Sequence, residues 1–241
     1  MKILTKISQL QKKVETLRPL SEEQNEELKK YYKIGLTYSS NALEGNSLTE
    51  SETRIAIEDG LTVAGKPLKD YYEAIGHARS FDLLFQLAKK EAFTEEDIKQ
   101  LHKLFFQGID AEKAGLYRNI RVFISGSKYS LPRPEEVPSK MKQFVLELGI
   151  NPGLHPVIWA SELHKRFVFI HPFIDGNGRV ARLLMNFALL QNSYPITIIP
   201  PIRRIDYINA LEKAHTDDKI FIEFIAEAVQ QAQLEYLRLL K

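Results

Sequence analysis

The twelve residues from His171 to Arg182, HPFIDGNGRVAR, constrain the fold more tightly than any other part of the chain. Pro172 cannot continue a helix and disfavours helical backbone at His171, so the apolar repeat Leu163, Phe167, Ile170 must stop there. Gly176, Asn177 and Gly178 lack bulk where a second helix restarts near Asn177 and runs to about Gln191. Arg179 and Arg182 then stand in the opening turns of that second helix. A helix N-terminus carries about half a positive charge and several unpaired N–H groups, so two guanidiniums there are repelled unless an anion sits among them. The anion that fits is a polyphosphate.

Most of the remaining sequence also reads at helical period, which points to an all-α fold. Ser21 with Gln24 makes a capping box after Pro19, and Gly45 with Asn46 stops the helix it opens, placing its end just after Glu44. Thr49 and Glu52 start a short helix closed by Gly60. Lys69 to Lys90 repeats Tyr72, Ile75, Phe81, Leu84 and Leu87 as a long amphipathic helix does, and Thr94 to Gln107 follows the same scheme. Pro156 opens the helix that leads to His171, and Asp206 and Asp217 read as caps for the last two helices. Between Tyr117 and Pro134 the period changes to two: Val122 and Ile124 alternate with Arg121 and Phe123, and Ser125 to Lys128 supply turn chemistry. That pattern predicts a small β-hairpin at 121–131.

At 241 residues the chain suits a single domain over 1–241. A formal net charge of +2, with both signs interspersed, leaves no electrostatic footprint for nucleic acid. The absence of cysteine removes disulfides and thiolate metal sites and agrees with a reducing compartment. The best apolar stretch, Leu183 to Leu190, is broken by Asn186, so no membrane partner is expected, and MKILTKISQLQKK lacks the features of a secretory signal. Cytoplasmic residence is the expectation.

The chemistry gathers around the loop. Gly176, Asn177 and Gly178 let backbone N–H groups approach a ligand, Arg179 and Arg182 share a helix face, and Asp175 offers a hard oxygen for a divalent cation. A polyphosphate held in this way suits nucleotidyl or phosphoryl transfer, where catalysis is mainly positioning and charge neutralisation. His171 is a candidate general base for an attacking hydroxyl. Taken singly, each residue has a plainer explanation: Asp175 as a cap, the glycines as a turn, His171 as a loop histidine. His164, on the same face as His171, reads as a packed histidine, because no HExxH-type pairing accompanies it.

His171-Pro172-Phe173-x-Asp175-Gly176-Asn177-Gly178-Arg179-x-x-Arg182 resembles the full signature of the Fic family, and the likeness extends over roughly Lys33 to Asp218. The resemblance implies an all-helical core, about 70–218, with a β-hairpin flap, and transfer of AMP from ATP to a Ser, Thr or Tyr hydroxyl of a target protein. By that likeness His171 is the base, Asp175 the Mg²⁺ ligand (Mn²⁺ being an alternative ion), Gly176, Asn177 and Gly178 the anion hole, and Arg179 and Arg182 the holders of the β and γ phosphates. Gly178 separates it from a phosphotransferase branch that carries lysine there. Val122, Phe123 and Ile124 of the flap would dock the target segment, and Tyr207 would contact the base, with His215 and Ile208 nearby.

Ser39-Ser40-Asn41-Ala42-Leu43-Glu44-Gly45-Asn46 also resembles a family pattern, the inhibitory motif, here at 40–45. Independently, an anion at a helix C-terminus calls for a cationic partner if buried. By resemblance Glu44, with Ser40 beside it, pairs with Arg182 and denies the γ-phosphate its guanidinium. Removal of AMP, a homodimer, transfer of UMP or phosphocholine, and a nucleotide sensor without transfer stay open on the sequence.

Overall fold

The computed structural model describes residues 2–240. Its helices are α1 (Lys2–Glu15), α2 (Glu22–Ala42), α3 (Glu50–Glu58), α4 (Leu68–Leu87), α5 (Glu95–Phe106), α6 (Val137–Leu148), α7 (Pro156–Ile170), α8 (Asn177–Gln191), α9 (Arg204–Lys213) and α10 (Asp218–Leu239). Local chemistry sets many of these boundaries. Ser21, Thr49 and Thr94 each accept from the backbone of Gln24, Glu52 and Asp97, whose side chains return the bond, so three helices open on complete capping boxes. Asp217 accepts from Lys219 N and caps α10.

The axis of the molecule is α8, buried on nearly every side through Val180, Ala181, Leu183, Leu184, Met185, Phe187 and Leu189. A helix that is apolar all round must lie inside others, and α7, α4, α2 and α5 pack around it. Asn186, the polar interruption, is also fully buried. Its amide donates to Arg182 O and Thr197 O and accepts from Thr197 N, which fastens the 194–200 segment to α8. One apolar core continues from Ile7 and Val14 of α1 to Tyr236 of α10. No described helix is long and apolar enough to cross a membrane.

Four details depart from the sequence pattern. α2 ends at Ala42, with Leu43 as its cap, rather than after Glu44: Glu44 N turns back to Asn41 O, and Gly45 takes a φ of 94°. Asp206 lies inside the first turn of α9, 3.9 Å from Arg203, and caps nothing. On α4, Tyr72 is exposed and Ile75 half-buried, because the inward face there carries Asp70, Glu73 and His77. α1 and α6 complete the bundle without having been anticipated.

The β-hairpin is absent: the described residues contain no strand. Residues 119–133 run extended around a turn closed by Ser127 N to Ile124 O at 3.2 Å. The segment spends its polar groups elsewhere. Ser127 Oγ and Lys128 N both donate to the Glu212 carboxylate of α9 (2.9 and 2.8 Å), and Arg118 Nη2 takes Pro132 O at 2.7 Å. Pro132 and Pro134 have no N–H to offer a partner strand, and a lone two-stranded ribbon is marginal in water.

Buried histidines give the fold an acid limit. Burial pushes His77 down to about 3, and His102 and His171 to about 4, while His164 falls well below its ordinary 6.5. The unfolded chain binds these protons near pH 6.5 and the folded chain does not, so stability is full above that pH and is lost as pH falls toward 4. Each histidine contributes about 1.4 kcal/mol per pH unit within that window. Trp159 fluorescence and far-UV circular dichroism should therefore report cooperative unfolding between pH 6 and 4; a fold intact at pH 4 would contradict the neutral histidines.

Candidate active site

The loop between α7 and α8 is built as a rigid cradle. His171 closes α7 in left-handed backbone, φ 50° and ψ 59°, rather than the extended form usual before proline. Arg118 supports that strained position: Nε donates to His171 O at 2.7 Å, and its backbone N–H to Pro172 O at 2.9 Å. Asn177 turns its side chain back on Phe173, with Oδ1 accepting from the backbone N and Nδ2 donating to the O, both at 2.9 Å. Gly176, φ 79°, has Phe105 Cε1 2.8 Å from where a Cβ would stand, so both its backbone and its space exclude a side chain. His102 stacks on Phe173 with ring centroids 3.7 Å apart. Its Nδ1 accepts from Gly115 N at 2.9 Å, which leaves Nε2–H to donate to Asp175 O at 3.1 Å.

These constraints leave the N–H groups of Asn177, Gly178 and Arg179 at the start of α8 with no acceptor among the described residues, a ready anion site. His171 lines the adjoining cavity, about 150 Å³, with Glu44, Gly178, Tyr207, Ile208 and Ile124. Its Nδ1 lies 3.3 Å from Val168 O; a carbonyl can only accept, so Nδ1 carries the proton and Nε2 is the free basic nitrogen. With burial holding the ring's affinity down at about 4, that nitrogen is unprotonated across the neutral range.

Arg182 is 1% exposed and spends every donor group. Nη2 reaches Glu44 Oε1 at 2.7 Å and Ser40 O at 2.9 Å, Nε reaches Ser40 Oγ at 2.9 Å, and Nη1 reaches Tyr207 OH at 3.2 Å. The Tyr207 hydroxyl in turn sits 2.8 Å from His164 Nε2 and donates to it, so this hydroxyl is committed to the network while its ring borders the cavity. Burial alone would raise the Glu44 carboxyl; the Arg182 and Arg179 guanidiniums reverse this and hold it below its ordinary value. Glu44 fills the mouth of the cradle: a Cβ on Gly178 would collide with Glu44 Oε1.

Arg179 is 3% exposed, with Nη1 2.9 Å from Glu73 Oε1, Nη2 3.0 Å from Asp175 Oδ1, and its guanidinium 4.4 Å from the Phe105 ring centre. The Asp175 side chain is 45% exposed and faces Lys69 at 3.9 Å. Among the described residues no cluster of three or more metal-ligating side chains occurs.

His171, Asp175, Gly176, Asn177, Gly178, Arg179, Arg182, Glu44, Ser40 and Tyr207 thus converge on one cradle. Val122, Phe123 and Ile124 lie on the covering segment, where Phe123 is 88% exposed and Ile124 borders the cavity. Sequence reasoning missed Glu73, Arg118, His102 and Glu212, and read Asn46 only as a helix stop beside the inhibitory motif. Glu73 and His102 had a signal, as polar residues on the buried faces of otherwise apolar helices; Arg118 and Glu212 had none.

Comparison with known proteins gives the family of the chain. Residues 92–189 match the Fic/DOC family. The chain is 37% identical over 205 residues to a protein adenylyltransferase Fic of Nematostella vectensis, covering 83% of this chain and 48% of that protein. It is 34% identical to one of Drosophila grimshawi, of which it covers 42%. It therefore spans about half the length of these curated relatives. A Fic domain containing signalling protein of Bacteroides thetaiotaomicron superposes with a TM-score of 0.86 at 31% identity, covering 97% of both chains. Fic-1 of C. elegans (aa134–508) superposes with a TM-score of 0.90 at 26% identity, covering 98% of this chain and 71% of that one. With the motif, the cradle and a full-length structural match in agreement, the chain belongs to the Fic/DOC family.

Proposed function

We propose that this chain is a protein adenylyltransferase, moving AMP from ATP to a hydroxyl side chain of a target protein and restrained by its own Glu44. One observation carries the reading: an unprotonated His171 Nε2 borders the same cradle as three free helix N–H groups and two buried guanidiniums. In the reaction the hydroxyl oxygen bonds to the α-phosphorus, the bond to the bridging oxygen breaks, and pyrophosphate leaves. The hydroxyl proton passes to His171 Nε2. The N–H groups of 177–179 and the guanidiniums of Arg179 and Arg182 stabilise the charge gathering on the departing pyrophosphate. Asp175 fits a Mg²⁺ or Mn²⁺ ion: one half-exposed carboxylate, without a protein cage, suits a cation that takes its other ligands from phosphates and water. Such an ion would supply further charge neutralisation.

The brake has a geometric basis. With Glu44 on Arg182 the cavity measures about 150 Å³, against about 300–1,000 Å³ for ordinary ligand sites. An ATP whose γ-phosphate cannot reach Arg182 is not held with its α-phosphorus in line with the hydroxyl. The target segment would lie along Val122 and Phe123, whose backbone groups have no partner among the described residues, in an extended pairing rather than on a formed hairpin. Glu212 would hold that cover in place. Glu212→Ala should speed tryptic cleavage after Lys128 several-fold without moving the melting temperature; unchanged cleavage would mean the two bonds to Glu212 do not restrain the segment.

The function is tested with ATP labelled on the α- or the γ-phosphate and the Glu44→Gly chain. Label should enter protein from the α position alone, with the mass increment of AMP. Label from the γ position would indicate a kinase-type reaction, and UMP or phosphocholine increments from the corresponding donors would redirect the assignment.

A further inference from the structure

Glu73 is an enclosed carboxylate, 5% exposed, on the inward face of α4, with no part in the chemistry above. Its two oxygens serve different elements. Oε1 is 2.9 Å from Nη1 of Arg179 on α8, an ion pair without an aligned hydrogen bond, and 3.7 Å from Lys69 Nζ. Oε2 accepts from Asn46 Nδ2 at 2.9 Å. Asn46 stands two residues beyond Glu44, in the turn that presents it. The same amide nitrogen donates to Asp70 O at 3.0 Å, Asn46 Oδ1 accepts from Leu48 N at 3.0 Å, and Asn46 N reaches back to Asn41 O at 3.1 Å. Ser47 adds two bonds from its N–H and hydroxyl to Asp70 Oδ2, at 2.7 and 2.6 Å. The turn bearing Glu44 is therefore moored to α4, and at Glu73 that mooring meets a guanidinium of the phosphate cradle.

The second contact satisfies the other oxygen of a buried carboxylate and at the same time ties it to the turn that carries Glu44. Arg179 also has another anion, Asp175, and lies over the Phe105 ring, which blocks retreat. If a cation draws on Asp175, Glu73 is the carboxylate that keeps Arg179 aligned, because a buried guanidinium without a partner seeks a new one.

We propose that Glu73 is a positioning residue with two simultaneous contacts: Oε1 fixes Arg179 for the phosphates, and Oε2, through Asn46, latches the Glu44 turn in its braking position. This rests on the AMP-transfer function proposed above and adds to it a second release point of the brake, remote from the Glu44–Arg182 pair.

Asn46→Ala cuts the latch and leaves the Glu73–Arg179 pair in place. Hydrogen exchange at the amides of 44–48 should quicken by about tenfold or more, and AMP transfer should rise by about fivefold or more over the parent. Adding Asn46→Ala to Glu44→Gly should give no further rise, since both release one brake. Asn46→Asp, which keeps the Leu48 contact but sets a carboxylate against Glu73, serves as the second variant with the same expectation. In the Glu44→Gly background, Glu73→Gln should lower kcat by about tenfold or more, and Glu73→Asp should recover part of it at an equal melting temperature. Unchanged exchange and transfer in both Asn46 variants would overturn the latch, and an unchanged kcat in Glu73→Gln would overturn the positioning. A Glu44→Gly chain that transfers nothing would overturn the AMP-transfer function instead; exchange at 44–48 then decides the latch by itself.

Discussion

Glu44→Gly is expected to raise AMP transfer, including self-modification, by about 10² over the parent, the scale on which one charge-stabilising contact acts in a reaction of this kind. Removing the carboxylate frees Arg182 Nη2, which Glu44 holds at 2.7 Å, and clears the space next to Gly178 where phosphate oxygens would sit. The cost is an unpaired guanidinium that is almost wholly buried. Losing a partner in a fully buried pair costs about 3–5 kcal/mol, and the side-chain exposure of Glu44, 35%, reduces this to about 1–3 kcal/mol. ATP can return the lost anion. The variant should thus melt lower than the parent alone and gain more from ATP with Mg²⁺ than the parent does. Intact-mass measurement of the AMP adduct and paired melting curves check both halves. A variant that is silent on itself and on lysate proteins, or that gains no more from ATP than the parent, would count against the brake.

His171→Ala, placed in the Glu44→Gly background so that the parent rate is measurable, is expected to lower kcat by about 10²–10⁴. ATP affinity should change little, because in the proposed reaction the phosphates would be held by 177–179, Arg179 and Arg182 rather than by the imidazole. The pH profile supplies an independent check. The ring's affinity is depressed to about 4, so its basic form is complete well below neutrality, and transfer should be flat from pH 6 to 8 instead of rising through the ordinary histidine value of 6.5. A rate that climbs through 6.5 would place the titrating base in an exposed setting unlike that of His171. Equal loss of ATP binding and of kcat would make the residue a structural part of the cradle.

The two ends of the site were legible in the sequence to different depths. The loop at 171–178 announced itself because its chemistry is local: proline stops one helix, small residues permit a positive φ at Gly176, and the next helix begins with free N–H groups. Helix openings were equally readable, since a capping box is a bond between residues three apart. The flap pattern misled because alternation describes side-chain spacing and says nothing about a hydrogen-bonding partner. Glu212 and Arg118 took the polar groups that a second strand would have needed. The Tyr207 hydroxyl joins Arg182 to His164 while its ring borders the cavity, an arrangement that exists only once α7, α8 and α9 are packed.

By itself, then, the sequence determined the cradle: its turn, its dipole, its two cations and the histidine before the proline, all within twelve residues whose geometry is set by backbone dihedrals and short-range bonds. Tertiary structure alone decided what faces that cradle. Glu44 lies 138 residues from Arg182, Asn46 and Glu73 are 27 apart, and Ser127 meets Glu212 across 85. Such pairings depend on which helix faces the buried α8 brings together, and burial, which gives each charge pair its strength, is a property of the packed molecule and of no segment within it.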